Sequence, residues 1–382
     1  MQDHLNGDPA FLLLSHQGKV DFDLKLAVQQ IQARQKAKSK LPEWVADPRL
    51  LFPPSLNLEQ ASSSQTAGFK AKLVQGKTLL DITGGFGIDA YYLGQQFEEI
   101  TYCERLSDLA ELARHNFEML TPGKFKIYIG DGLDLVKQTT QKFDLIYVDP
   151  ARRGKANEKL YRLSDCEPDI TAHWKLLRSK GKQVLCKISP MTDIKQALQD
   201  ISDFQQIWVI SVKNEVKEVL LYWDEAWQGT QRTIHAVDLN QEGEQTFHFT
   251  YEEETEAAIN LSEVSNYLIE PLACILKAGA FRSFAQRFGL QKLHANSHLY
   301  TSESFNSDLP ARVFEVVTVL ANPKKQIQQT FINGKANVLT RNYSLSPEEL
   351  KKKYKLKDGG EDYLIGTKTQ KGDVLIHAKR LK

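Results

Sequence analysis

Between residues 77 and 225, short apolar runs alternate with segments of helical periodicity, and few folds accept that alternation. Apolar runs stand at 78–82, 100–104, 125–129, 143–150 and 183–188, and helical patterns begin near Ile88 and span 107–120. Strands that recur with helices between them build a parallel sheet covered on its faces. The stretch Phe143-Asp144-Leu145-Ile146-Tyr147-Val148 is apolar enough for burial on both faces, as an interior strand requires. Residues 206–211 and 219–223, separated by the polar 213–217, read as a terminal antiparallel pair. The expectation is a doubly wound, mostly parallel seven-stranded sheet.

At 382 residues the chain is too long for one ordinary domain. Residues 1–65 read as a helical extension: Asp21 or Asp23 caps a helix through Leu24, Val28 and Ile31, with Arg34, Lys36, Lys38 and Lys40 at its end. Pro42, Pro48, Pro53 and Pro54 mark a linker, and Ser62 to Thr66 open a helix running to Lys72. The α/β domain is assigned to 66–235, and two small α+β units to 236–325 and 326–382. The first of these carries an amphipathic helix over 271–290 and a strand over 312–320. The second carries strands near 336–339, 363–367 and 374–378, with Ser346-Pro347 opening a helix between them.

The net charge of +1 hides an asymmetry. Residues 238–270 hold nine acids and no Lys or Arg, whereas residues 335–382 hold twelve Lys or Arg against six acids. Lys351, Lys352, Lys353, Lys355 and Lys357 form the densest run, and Tyr354 and Tyr363 nearby suit stacking on an unpaired base. This module is expected to bind RNA. Cys103, Cys166, Cys186 and Cys274 lie too far apart for a disulfide framework or a metal-ligand spacing, so no metal is expected. No apolar run approaches the roughly 20 residues that span a bilayer, and Met1-Gln2-Asp3 does not open a secretory signal, so a cytoplasmic protein is expected.

The glycine-rich turn Leu80-Asp81-Ile82-Thr83-Gly84-Gly85-Phe86-Gly87-Ile88-Asp89 lies between a strand and a helix, where backbone approaches a ligand closely. Asp81 precedes the glycines at the strand's end and suits the ammonium of a methionine moiety. Glu104 ends the next strand, where a carboxylate accepts two ribose hydroxyls. Asp131, in Gly130-Asp131-Gly132 after the third strand, is placed for an adenine amino group. Each has a plainer reading: Asp131 as a turn aspartate, Glu104 as a surface charge. Three acids at three successive strand ends, however, sit where ligands bind such sheets.

The turn resembles motif I of class I methyltransferases, and with Glu104-Arg105 it is similar to bacterial ribosomal RNA guanine-N2 methyltransferases. Residues 57–63 and 356–360 resemble a bacterial methyltransferase family that carries a THUMP-like C-terminal domain. In that family a small ferredoxin-like domain, similar to 270–318, precedes it. The resemblance implies a Rossmann-like catalytic domain that binds S-adenosylmethionine. It implies cofactor contacts from Asp81, Thr83, Gly84, Gly85, Gly87, Asp89, Glu104, Arg105, Asp131 and Asp149.

Asp149-Pro150-Ala151-Arg152-Arg153 follows the fourth strand. In amino-methylating enzymes an acid or amide before proline accepts a hydrogen bond from the exocyclic amine, so Asp149, Pro150 and Arg152 are the catalytic candidates. Arg152 and Arg153 suit phosphate, or pair with Glu158 or Asp165. The loop also resembles that of uracil-5 methyltransferases, but Ile188 stands where their cysteine nucleophile would be, and Cys186 reads as a buried apolar residue. Lys187 reads as a strand-end lysine paired with a carboxylate. Methylation of RNA at an exocyclic amine is the expectation. A non-catalytic RNA-binding protein with a vestigial cofactor fold, and a methyltransferase for a small molecule or protein, are the alternatives.

Overall fold

The computed structural model describes residues 4–152, 162–241 and 243–382, and of Arg152 the backbone alone. Arg153 and Glu158 lie outside the described residues. The chain divides into two compact units, Met1–Gln206 with Glu218–Thr230, and Ile207–Lys217 with Gln231–Lys382.

The first unit opens with α1 (Pro9–His16), α2 (Leu24–Ala37), α3 (Pro42–Ala46), α4 (Ser55–Gln60) and α5 (Ser64–Lys72). Asp23 caps α2 by accepting from Leu26 N, and Ser63 caps α5 by accepting from Thr66 N. The proline-rich stretch is shaped as well as broken. Arg34, 2% exposed, donates to the carbonyls of Val45, Asp47, Pro48 and Leu50 and so fixes the chain between α3 and α4. Trp44 packs edge-on against Phe86 and Tyr91, joining these helices to the core of the sheet domain. Of the cations at the end of α2 and just beyond it, Arg34 is spent internally and Lys40 holds the carbonyls of Leu58 and Glu59.

The α/β part follows: β1 (Thr78–Asp81), α6 (Ile88–Gly94), β2 (Glu99–Glu104), α7 (Ser107–Leu120), β3 (Phe125–Ile129), α8 (Gly132–Gln138) and β4 (Phe143–Val148). A short ribbon of β5 (Ala151–Arg152) and β6 (Cys166–Glu167) precedes α9 (Ile170–Lys180), β7 (Gly181–Ile188) and α10 (Ile194–Asp200). Then come β8 (Gln206–Val212) and β9 (Glu215–Asp224). The order is β3-β2-β1-β4-β7-β9, parallel through β7 and antiparallel at β7–β9. β8 pairs with β9 as a hairpin, so the expected seven strands with an antiparallel end are present. Lys213 and Asn214 at its turn both take positive φ, 51° and 61°, which matches the right-handed twist of hairpin strands. The division between the two units runs through this hairpin.

The second unit continues with β10 (Thr233–Asn240), β11 (Gly243–Phe249), α11 (Tyr251–Glu256), β12 (Tyr267–Pro271), α12 (Ala273–Ala278) and α13 (Arg282–Phe288). It ends with β13 (Gln291–His294), β14 (Ser297–Ser302), β15 (Ala311–Val319), α14 (Pro323–Thr330), β16 (Asn337–Arg341), α15 (Pro347–Tyr354), β17 (Asp362–Thr369) and β18 (Gly372–Arg380). The single helix expected over 271–290 is instead a strand end and two helices. Gly279 and Gly289, at φ 85° and 63°, close α12 and α13 in the left-handed conformation that glycine adopts without strain. β10 and β11 had no expectation. Their alternate residues Ile234, Ala236, Phe247 and Phe249 are buried, the period of two that a strand requires. One seven-stranded sheet, β13-β14-β12-β15-β18-β17-β16, takes strands from both 236–325 and 326–382, joined by the antiparallel β15–β18 pair.

Asn116 on α7, fully buried, accepts from Leu51 N and donates to Leu51 O, tying the N-terminal helices to the sheet domain. Asn116→Ala strands both backbone groups and is expected to cost about 2 kcal/mol in urea unfolding.

Candidate active site

The sheet brings four carboxylates to one edge, because parallel strands end together. Asp81 closes β1, Glu104 closes β2, Asp131 follows β3 and Asp149 follows β4. Glu104 is held at both oxygens: Gly85 N donates to Oε2 and Leu106 N to Oε1, each at 2.8 Å. The turn is compact at this point. Gly84 N donates to Cys103 O at 2.8 Å, and a Cβ on Gly84 would lie 2.3 Å from the Tyr102 ring. Gly87 needs glycine twice, for its φ of 84° and for the Phe117 ring 2.6 Å from where a Cβ would sit.

Asp81 is 1% exposed and accepts from Thr83 N at 2.9 Å. Burial is the main cause that pushes its carboxyl up to about 8; Thr83 N–H opposes this, and the Asp89 and Asp149 charges add to it. Asp131 caps α8 by accepting from Leu133 N at 2.8 Å through Oδ1, so the turn role holds for one of its oxygens. Thr83 bridges two parts of the site: its backbone N–H donates to Asp81 and its Oγ accepts from Asp149 N at 2.7 Å.

Beneath Asp149 lies a buried ionic network. Lys187 Nζ stands 2.5 Å from Asp149 Oδ2 and 3.3 Å from Asp89 Oδ2, and donates to Ser62 Oγ at 3.2 Å. Asp89 Oδ2 also accepts from Tyr147 Oη at 2.7 Å and Ser62 Oγ at 2.8 Å. Lys70 Nζ lies 3.1 Å from Asp89 Oδ1, an ion pair without hydrogen-bond alignment, and 2.5 Å from Glu218 Oε1. Burial disfavours the charge on Lys187, yet Asp149, Asp89 and Glu218 outweigh it and hold the ammonium above its ordinary range. Burial likewise opposes the Asp89 charge, and Lys70 and Lys187 prevail, keeping it well below the usual carboxylate range. Asp149 itself remains 34% exposed at its side chain.

The pairing read for Lys187 from the sequence is therefore present, with two carboxylates. Asp89 turns its carboxylate into the network. Arg105 pairs with Glu167 on β6 at 2.6 Å. Ser62, Lys70 and Glu218 carried no sequence signal as a group, since a lysine on an otherwise apolar helix face ordinarily reads as solvated. Cys186 is fully buried, burial pushes its thiol well above the ordinary range, and Ile188 is 3% exposed. Pro150 is buried behind Asp149.

In the C-terminal part, Ser346 and Glu349 form a capping box at α15. Lys352, Lys353, Lys355 and Lys357 are exposed, but Lys351 pairs with Glu348 and Asp358 at 2.5 and 2.7 Å. The aromatic expectation changes: Tyr354 packs on the core that holds Leu350 and Leu356, and Tyr363 packs edge-on to Phe314. Among the described residues, no group of three His, Cys, Asp or Glu is arranged to hold a metal, and no helix is long and apolar enough to cross a membrane.

A ferredoxin-like family matches residues 267–310, and a THUMP domain-like family matches residues 311–380. The crystal structure of a candidate methyltransferase from Porphyromonas gingivalis W83 is 34% identical over 100% of this chain and 96% of its own, at a TM-score of 0.89. The chain belongs to this methyltransferase family. Two further solved structures are similar over less of the chain. A conserved hypothetical protein of Streptococcus pyogenes is 18% identical over 43% of this chain and 98% of its own, at a TM-score of 0.33. M. capricolum TrmK, solved with S-adenosyl-homocysteine, is 14% identical over 42% and 68%, at a TM-score of 0.32. No curated protein matches.

In this methyltransferase family member, the buried Asp81 gives a signed expectation. Its raised carboxyl keeps a proton in the folded state that the unfolded chain releases above pH ~4. Wild-type stability therefore falls as pH rises from about 4 to about 8 and then levels. Asp81→Asn lacks that loss, so its stability relative to wild type should grow across the same window, read by urea unfolding at each pH.

Proposed function

We propose that the chain transfers a methyl group from S-adenosylmethionine to RNA, at an exocyclic amine of a base. The observation that carries this reading is the row of carboxylates at the ends of β1, β2 and β3, with Glu104 clamped by Gly85 N and Leu106 N beside the buried Asp81. An acid for an ammonium, a fixed carboxylate for a diol and a second free oxygen on Asp131 for an amine match the three polar parts of that cofactor. Thr83, Gly84, Gly85 and Gly87 shape the turn that receives it. Asp89 and Arg105 support the site through Lys187, Lys70 and Glu167 rather than by contact. The bound cofactor supplies a methyl group on a sulfonium, ready for an unshared electron pair.

Asp149 accepts a hydrogen bond from the amine N–H, which aims the nitrogen lone pair, and Pro150 stiffens the loop that carries it. Arg152 is assigned to substrate phosphate. A carbon target is disfavoured, because Cys186 and its neighbour Cys166 are both buried and burial pushes the Cys186 thiol well above its ordinary range. RNA is supported by the charge of residues 335–382 and by the THUMP domain-like match over 311–380.

Asp81→Ala and Glu104→Ala should each weaken S-adenosylmethionine binding about tenfold or more in calorimetry, the size of a lost charge-assisted hydrogen bond. Asp149→Ala should keep that affinity and lower transfer about 100-fold, while Cys186→Ser should leave transfer near wild type. Comparison of RNA nucleosides by mass spectrometry, with and without the gene, identifies the methylated position. An unchanged nucleoside profile removes the RNA assignment.

Replacing the exposed Lys352, Lys353, Lys355 and Lys357 with Gln should weaken RNA binding at low salt. It should also flatten the slope of log affinity against log salt by about 0.7 for each lost phosphate contact on a single strand. Unchanged affinity and slope would assign the basic face to solvation alone.

A further inference from the structure

We infer that Lys187 is a positioning residue for methyl transfer, holding the Asp149 carboxylate in one orientation from a base fixed by Ser62, Asp89, Lys70 and Glu218. This rests on the reading that Asp149 faces the amine. An ammonium has three donors, and all three of Lys187 meet acceptors: Asp149 Oδ2 at 2.5 Å, Ser62 Oγ at 3.2 Å and Asp89 Oδ2 at 3.3 Å. A side chain held on three sides cannot swing, so the oxygen it grips cannot swing either.

The base beneath it is equally constrained. Ser62 Oγ accepts from Lys70 at 3.1 Å and donates to Asp89, and Lys70 is tied to Glu218 on β9. The network thus gathers the loop before α5, α5 itself, α6, β7 and β9 under one partly exposed carboxylate. Asp149 is also gripped through its backbone, by Thr83 Oγ at 2.7 Å. Two anchors, one on the main chain and one on the side chain, leave the carboxylate little freedom but keep it 34% exposed toward a substrate. That combination is what orientation of an acceptor requires, since a misplacement of about 1 Å costs about 100-fold in rate.

The test is a double-mutant cycle on the full chain. Lys187→Met keeps the length of the side chain and removes its charge. It is expected to lower kcat about 100-fold, with S-adenosylmethionine affinity and the KM for RNA within about twofold of wild type. Because Lys187 acts through Asp149, Lys187→Met with Asp149→Ala should be no slower than Asp149→Ala alone. Additive losses, a kcat near wild type, or a parallel loss of cofactor affinity would overturn the inference.

If Lys187→Met does not fold, Ser62→Ala loosens the same ammonium from one side. It should give a smaller fall in kcat that likewise vanishes in the Asp149→Ala background. A readout independent of turnover separates this inference from the proposed activity. The 15N resonance of Lys187 Nζ should be visible in slow exchange in wild type, and should shift and broaden in Asp149→Ala. An unmoved resonance overturns the positioning role. A shifted resonance in a protein that methylates no RNA upholds it and removes the activity instead.

Discussion

Two lysines and two acids, Lys70, Lys187, Asp89 and Glu218, are buried together under the loop that carries Asp149, and the first unit is organised around keeping them paired. Removing a charged group from water costs several kcal/mol even after relaxation, and only close opposite charges with saturated hydrogen bonds offset that cost. Lys187 and Lys70 approach that condition through Ser62, Asp149 and Glu218, and Asp89 through Oδ2 on Ser62 and Tyr147, while its Oδ1 has the Lys70 ion pair alone. Each partner comes from a different element, so the network fixes α5, α6, β4, β7 and β9 relative to one another more strictly than apolar packing would. Loss of any one member leaves an uncompensated charge in the interior. That is the reason the geometry at Asp149 can be strict although its own side chain is partly solvated.

The same logic separates the two carboxylates that open the site. Asp81 has neighbours that are themselves acids, and Thr83 is the donor that opposes its burial, so its carboxyl is pushed up to about 8. Glu104 sits one strand away with both oxygens on backbone N–H groups. One acid is pushed toward its neutral form by burial, and the other is fixed in place by two donors. Thr83 touches both Asp81 and Asp149, so the glycine-rich turn and the loop after β4 share an anchor.

Glycine decides the local geometry in both units, by different means. At Gly84 and Gly87 it makes room for aromatic rings that would meet a Cβ, which lets the turn lie flat over β2 and α7. At Gly279 and Gly289 it closes helices in a conformation other residues resist, converting one apolar periodic stretch into two helices that fold back on the sheet. On α15, cation position follows from pairing: Lys351 is absorbed by Glu348 and Asp358, while Lys352, Lys353, Lys355 and Lys357 stay exposed.

The sequence alone determined the parallel sheet, its helical crossovers, the glycine-rich turn and the acids at its strand ends, because these depend on patterns local in the chain. Periodicity names a buried strand, and a glycine-rich turn after an acid names a ligand edge, wherever the rest of the chain goes. Only the tertiary structure decided what each charge does. Asp89 and Glu104 stand fifteen residues apart, in motifs that read alike from the sequence, yet one is locked among Lys70, Lys187, Ser62 and Tyr147 while the other faces the site on two backbone N–H groups. Arg34 and Lys70 are cations and yet are buried, because partners outside their own helices arrive to satisfy them: Leu50 for the first, Asp89 and Glu218 for the second. The strands β10 and β11 became evident only through their pairing, from Ile234 opposite Phe249 to Asn240 opposite Gly243. Pairing between distant residues has no local signature, and the energetics of a buried charge are set wholly by such pairing.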